Sequence, residues 1–253
     1  MSRIAIVAAL PSELNHLVKG WKKERQLERE ISLWQIKDSS GDELIAICAG
    51  MGKEAVTRAF AAAERKGRLD LVLSVGLAGA TGITSSLAET GAAGHLGEVS
   101  ALSEVIDTAT GERFLLTDGK RRLRIATLDH VANADEKRRL AESYAAVLVD
   151  MEAATIARLA AMRSLPMCCI KAVSDEHDQK LPDINRFIGT DGQLRMVAFA
   201  GYVFLRPRFW LALAQLARGS KRASAALAAK LRLFLQHKDW EYTNRTGHIE
   251  KKG

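Results

Sequence analysis

Three short apolar runs, at residues 4–10, 44–49 and 69–75, each stop abruptly at turn-forming residues, and this repetition constrains the fold more than any other feature. The first ends at Pro11 and Ser12, the second at Gly50-Met51-Gly52 and the third at Gly76-Leu77-Ala78-Gly79. Runs that are apolar throughout, instead of alternating, belong to strands buried on both faces, and such strands sit in a largely parallel sheet covered by helices. Helices are predicted after the first two, over residues 12–18 with Pro11 or Ser12 at the start, and over the alanine-rich residues 53–65. Further strands are predicted at 98–106, 113–116, 124–128, 147–151 and 167–173, with turns at Thr110-Gly111 and Asp118-Gly119 and a helix over 152–161. The expected fold class is α/β, a three-layer αβα sandwich with a mixed, largely parallel central sheet over residues 1–200, followed by a C-terminal helical extension over 201–253.

At 253 residues, with 47% hydrophobic and 26% charged side chains, the chain can bury one large core, which excludes the disordered, collagenous and disulfide-scaffold classes. Three cysteines are too few for a stapled fold, and Cys168 and Cys169 lie inside an apolar run, as buried thiols do in a reducing compartment. The apolar stretch at 196–205 is half of the roughly 20 residues that a spanning helix needs, and the first residues lack the h-region of a signal peptide. A cytoplasmic protein is expected, with a peripheral location at the inner membrane surface as a variant of that reading.

In α/β sheets, ligands gather at the carboxyl ends of the strands, and polar residues stand at those ends here. Glu13 follows the first strand, Ser74 lies in the third, Asp150-Met151-Glu152 follows the seventh and Ser174-Asp175 the eighth. Taken singly each has a bland explanation, Glu13 as a first-turn partner of a helix dipole and Asp175 as an N-cap. Taken together they put carboxylates on one sheet edge beside glycines where backbone approaches a ligand, which suits cleavage of a bond that develops positive charge. The glycines match neither a phosphate-loop nor a dinucleotide fingerprint, and no Cys/His spacing suggests a metal, so no cofactor is expected. His130 and His177 read as polar surface or pocket residues.

The segments IAIVAALPSEL, CAGMGKEAV, SVGLAGA, VDMEAATIA and KAVSD occur in the order found in the nucleoside phosphorylase superfamily, and the chain resembles that superfamily, specifically its methylthioadenosine/S-adenosylhomocysteine nucleosidase type. The resemblance implies purine N-glycosidic bond cleavage without a cofactor, with Asp175, Glu13 and Glu152 as catalytic residues. Asp175, oriented by Ser174, would protonate the purine at N7; Glu152 would accept hydrogen bonds from ribose hydroxyls; Glu13 would position or deprotonate the attacking water. Ser74, Gly76, Gly79, Met151 and Ser174 would contact substrate, and residues 127–132 correspond to the base-binding loop, where Val131 stands in place of an aromatic and would bracket the base with Ala132. Many phosphorylases of the superfamily carry an arginine where this chain has Ser74. Inorganic phosphate as co-substrate would therefore rest on backbone N–H groups at Gly76 to Gly79 or on a neighbouring subunit. The resemblance also implies a homodimer or higher homo-oligomer.

Nine basic residues and no acidic one lie between Gly192 and Lys238, so the net charge of +7 belongs to this segment. Phe209, Leu213, Leu216, Ala223, Leu227, Leu231 and Phe234 recur at helical spacing within it. Two readings are open: a helix packed on the domain or on a second copy with its basic face solvated, or a membrane-surface helix with Phe209 and Trp210 at the interface. Nucleic acid fits less well, because the aromatics lie on the apolar stripe and no recognition motif accompanies them. Together with TGERF near residue 110, the segment RPRFWLALAQLARGS resembles the hopanoid-associated phosphorylase subfamily, which implies release of adenine from adenosylhopane in hopanoid biosynthesis, by phosphorolysis in preference to hydrolysis. A methylthioadenosine/S-adenosylhomocysteine nucleosidase is the alternative within the class, and a non-catalytic nucleoside-binding or membrane-tethering protein the alternative outside it.

Overall fold

A computed structural model describes residues 1–24, 30–82, 94–116, 123–178, 184–189, 192–195, 198–199, 202, 204, 206 and 210–238. Their strands are β1 (Arg3–Ala8), β2 (Lys22–Glu24), β3 (Ser32–Lys37), β4 (Glu43–Cys48), β5 (Leu71–Ala80), β6 (Val99–Leu102), β7 (Glu104–Asp107), β8 (Arg113–Leu115), β9 (Arg124–Thr127), β10 (Leu148–Asp150) and β11 (Met167–Asp175). The α-helices are α1 (Pro11–Leu14), α2 (Lys53–Glu64), α3 (Ala134–Tyr144), α4 (Ala153–Ala161) and α5 (Trp210–His237), with a 3₁₀ turn at Asn185–Phe187. The Asp118-Gly119 turn, Phe209 and the tail from 239 onward lie outside the described residues.

All the strands join one mixed sheet in the order β2-β3-β4-β1-β5-β10-β9-β7-β8, with β11 and β6 branching from β5. Parallel pairings (β4–β1, β1–β5, β5–β11, β10–β9, β9–β7) form its centre, and antiparallel β2, β3, β6 and β8 finish its margins. The branch comes from the length of β5: its body pairs with β1 and β11, and its end at Gly79 and Ala80 pairs antiparallel with β10. Two apolar layers cover the sheet, as the period of two along a strand requires. Ala5, Val7, Ile45 and Ile47 face α2 and α4, whereas Ile4, Ile6, Leu73 and Cys168 face α1 and α5. This is the αβα sandwich expected from the uninterrupted apolar runs.

Several boundaries differ from expectation for physical reasons. The glycines after residue 75 are not a turn, because β5 continues through them to Ala80. The run at 98–106 is two strands broken at Ser103, whose N–H and hydroxyl both donate to the Leu123 carbonyl, at 2.9 and 3.1 Å. The helix after β1 is a single turn, and Leu17 and Val18 follow it as buried turn residues. The sequence reading missed β2, β3 and the charged helix α3, although Asn133 and Glu136 announce α3 as a reciprocal cap: each side chain accepts from the other's backbone N–H, at 3.0 and 2.9 Å.

The basic helix α5 packs on the sheet. Ala223, Leu227, Ala228, Leu231, Phe234 and Leu235 are buried in the layer that holds Ile4, Ile6 and Leu73, so the second half of the predicted stripe faces protein. Arg232 donates to the His16 carbonyl, and Lys238 reaches Asp42 at 2.7 Å. No described helix is long and apolar enough to cross a membrane. Because Leu227 is fully buried at this contact, Leu227→Ala is expected to lower unfolding free energy by about 2–5 kcal/mol, read from the urea midpoint.

Candidate active site

The carboxyl ends of β1, β5, β10 and β11 converge on a cavity of about 180 Å³ that Glu13, Asp150, Glu152 and Asp175 all line. Each carboxylate is held in a different way. Glu13, in the first turn of α1, folds back so that its Oε2 accepts from the N–H groups of Ala9 and Leu10, at 2.9 and 2.8 Å. Its Oε1 accepts from Leu77 N–H of β5 at 2.7 Å. The local contacts satisfy the helix start, while the third ties α1 to the sheet edge. Gly76 makes this possible: at φ 142° it has a backbone favoured by glycine, and a Cβ there would lie 2.8 Å from Glu13 Oε1. Burial pushes the Glu13 carboxyl above its ordinary range against the pull of these backbone donors and of Lys171.

Glu152 occupies the N-cap position of α4 without capping it, and turns toward α2, where its Oε1 accepts from Gly52 N–H at 2.8 Å. Burial, and then the neighbouring charge of Asp150, push its carboxyl up to about 7. Asp150 instead caps α4 through Ala153 N–H at 3.0 Å and accepts from the Thr127 hydroxyl at 2.7 Å. It also pairs with Lys171 Nζ at 2.8 Å, with both side chains almost fully buried. Burial opposes the Lys171 charge, but Asp150 beside it holds the ammonium above the usual lysine range.

At the end of β11, the register shifts between Val173 and Asp175, which turns the Ser174-Asp175 pair toward the cavity. The Ser174 hydroxyl donates to Asp175 Oδ1 at 2.7 Å, and the buried ammonium of Lys137, from α3, pairs with Oδ2. Gly79 leaves the room: a Cβ there would lie 2.9 Å from Asp175 Oδ2 and 3.0 Å from Lys137 Cε.

The structure thus gathers Glu13, Glu152, Asp175, Ser174, Met151, Gly79, Val131 and Ala132 around one cavity. Gly76 is behind Glu13 and not in the lining. Ser74 also stands apart, fully buried within β5 between Val7 and Cys169. The backbone of Val131 is engaged by the Asn185 side chain, which accepts its N–H at 2.7 Å and donates to its carbonyl at 3.1 Å. Sequence reasoning missed Lys137 and Lys171. Lys171 sits in KAVSD, where a lysine inside an all-buried strand is a signal of a paired charge, but Lys137 lies in the run DEKRR, which reads as a solvated face. His130, at the cavity, is held protonated to higher pH than usual by Asp129 and then by Glu136. Among the described residues, no group of His, Cys, Asp and Glu is arranged to hold a metal ion.

The profile of the Phosphorylase superfamily matches residues 108–199, the part of the chain that supplies α3, Asp150 to Glu152 and Ser174-Asp175. Among curated protein sequences none matches the chain. Solved structures share its fold over nearly its whole length. Arabidopsis thaliana 5'-methylthioadenosine nucleosidase aligns at 15% identity with a TM-score of 0.70, covering 94% of this chain and 96% of that one. Helicobacter pylori 5'-methylthioadenosine/S-adenosylhomocysteine nucleosidase with butyl-thio-DADMe-Immucillin-A aligns at 15% identity and 0.67, covering 94% and 99%. Futalosine hydrolase of Helicobacter pylori aligns at 14% and 0.67, covering 93% and 98%. The profile match supports the superfamily resemblance over the stretch that holds VDMEAATIA and KAVSD.

Glu152 supplies a test by linkage. Its carboxyl titrates near 7 when folded and near 4.5 when unfolded, so the folded state holds the extra proton between these values and stability falls as pH rises through that window. Glu152→Gln is expected to flatten the stability profile between about pH 5 and pH 8 by on the order of 3 kcal/mol, measured by urea denaturation across pH.

Proposed function

We propose that the chain cleaves the N-glycosidic bond of an adenosine-type nucleoside and releases adenine, with water as the nucleophile. The observation that carries this reading is the set of carboxylates in the cavity: four line it, against Lys137 and His130 in the lining and Lys171 behind. Such a surface stabilises the cation that forms on a ribose ring as its bond to the base breaks. Asp175 then faces the base nitrogen, Glu152 the ribose hydroxyls and Glu13 the attacking water. Glu13 already accepts three backbone N–H bonds, which leaves one of about four lone-pair directions for that water.

Water is favoured over phosphate because the same carboxylates repel an anion. The backbone at Gly76 to Gly79, considered above as an anion site, is not available at Leu77, whose N–H is committed to Glu13. Phosphorolysis, which the hopanoid-associated resemblance favours, would need a cation free to meet phosphate, whereas the lining Lys137 and His130 are already paired with carboxylates.

For the group on the ribose 5' position, the leading candidate is the triterpenoid of adenosylhopane, on the sequence resemblance, with methylthioadenosine or S-adenosylhomocysteine as alternative substrates. TGERF does not line the cavity: it runs from the β7–β8 turn, where Glu112 pairs with Arg158, into β8. A cavity of about 180 Å³ is below the roughly 300–1,000 Å³ of drug-sized sites, so a large 5' substituent would project from it. A second cleft, of about 640 Å³, mixes Asp135, Arg138, Glu142, His177 and Asp178 with Thr81, Gly82, Ala134 and Ala141 in its lining. A lipid tail would extend beyond the carboxylate-lined cavity, and the exposed Arg218, Lys221, Arg222 and Lys230 of α5 give the charge expected for contact with anionic lipid. On the same resemblance the working unit is a homo-oligomer.

Adenine release from adenosine, methylthioadenosine and adenosylhopane in detergent, with and without inorganic phosphate, tests this reading. Release is expected without phosphate, and Asp175→Asn is expected to slow it by about 10²- to 10⁴-fold. Strict dependence on phosphate would replace water as the nucleophile. An Asp175→Asn protein with full turnover would remove Asp175 from the acid role, and saturable nucleoside binding with no product would make this a binding protein.

A further inference from the structure

The pairing of Lys137 with Asp175 changes what Asp175 can do. Its Oδ1 accepts from the Ser174 hydroxyl and its Oδ2 from the Lys137 ammonium, so both oxygens serve as acceptors. The hydrogen at hand for a leaving base is therefore on Lys137. That lysine is 2% exposed, projects from α3 into the cavity lining, and has a second partner in the Glu176 carbonyl at 3.2 Å. A surface lysine gains little from being buried this deeply, and glycine at position 79 keeps its path to Asp175 open.

Resting on the nucleosidase reading above, we infer that Lys137 is a positioning residue for leaving-group departure, the store of the proton that Asp175 delivers to the purine. In this step a hydrogen passes from Lys137 Nζ to the Asp175 carboxylate, and from that carboxyl group to the base nitrogen. The electron pair of the breaking C–N bond goes to the base, which leaves neutral. The ribosyl carbon bonds to the water oxygen, and the proton this water sheds goes to Glu13. Lys137, left as a neutral amine, regains a proton from solvent once the base has departed, and Glu13 returns its own to solvent.

Leaving groups that need no proton separate this role from a structural one. The test compares wild type, Lys137→Met, Lys137→Arg and Lys137→Ala on the best purine nucleoside and on 4-nitrophenyl riboside, whose phenolate departs unprotonated. Lys137→Met is expected to lose about 10²- to 10⁴-fold in kcat on the nucleoside with KM changed less than threefold, and to stay within threefold of wild type on the nitrophenyl riboside. Lys137→Arg, whose guanidinium keeps the charge but does not give up a proton, should recover less than tenfold over Lys137→Met, and full recovery would overturn the proton-store role. Butylammonium, but not butanol, should raise turnover by Lys137→Ala.

Equal losses on both substrates, or nucleoside turnover by Lys137→Met within threefold of wild type, would overturn the role given to Lys137 while leaving the nucleosidase reading in place. Failure of the wild type to release base from any purine nucleoside would overturn that reading, and this inference with it.

Discussion

Four carboxylates crowd one cavity, and the structure around them is arranged to offset their mutual repulsion and their removal from water. Isolated buried carboxylates would shed their charge by taking up protons, so each needs donors or a cation. Glu13 takes three backbone N–H groups from two elements, Glu152 the N–H at the start of α2, Asp150 a lysine with a hydroxyl and a helix start, and Asp175 a lysine with a hydroxyl. Compensation is uneven, and that unevenness is what separates the groups chemically. Glu152, with a single backbone donor and Asp150 for a neighbour, is pushed up to about 7, whereas Asp150 keeps the direct ion pair.

The sheet supplies these donors because strands and helices end together at this edge. The parallel centre brings the carboxyl ends of β1, β5 and β11 side by side, and the antiparallel pairing of β10 with the end of β5 brings Asp150 to the same rim from the other branch. Gly76 and Gly79 serve that convergence directly. One makes room for the Glu13 carboxylate, the other for the Asp175 and Lys137 pair, so in this chain the glycines seat side chains from other elements.

Much of this was legible in the sequence, and what was not has physical causes. Uninterrupted apolar runs such as 44–49 specify strands covered on both faces, and they gave the layered fold; polar residues at the ends of such runs gave Glu13, Glu152 and Asp175. The strand status of residues 76–80 was hidden because glycine reads as a turn whether it closes one or clears space within a strand. Ser74 was drawn into the site by proximity along the chain, but within β5 it is fully buried between Val7 and Cys169 and does not line the cavity. Lys137 was hidden because a charged run on a helix looks solvated until the partner of each charge is known, and Asp175 lies 38 residues away in sequence.

The same logic bears on the nucleophile. A site built for an anion turns its backbone N–H groups toward empty space, as helix starts and glycine loops do in phosphate sites. Here the N–H groups at comparable positions, Leu77 on β5 and Gly52 at the start of α2, are already engaged by Glu13 and Glu152. The protein's own carboxylates thus occupy places that an incoming anion would need. What remains is a cavity whose unused lone pairs accept hydrogen bonds, and under the proposed reading a neutral hydroxyl donor, water or ribose, would satisfy them without adding negative charge.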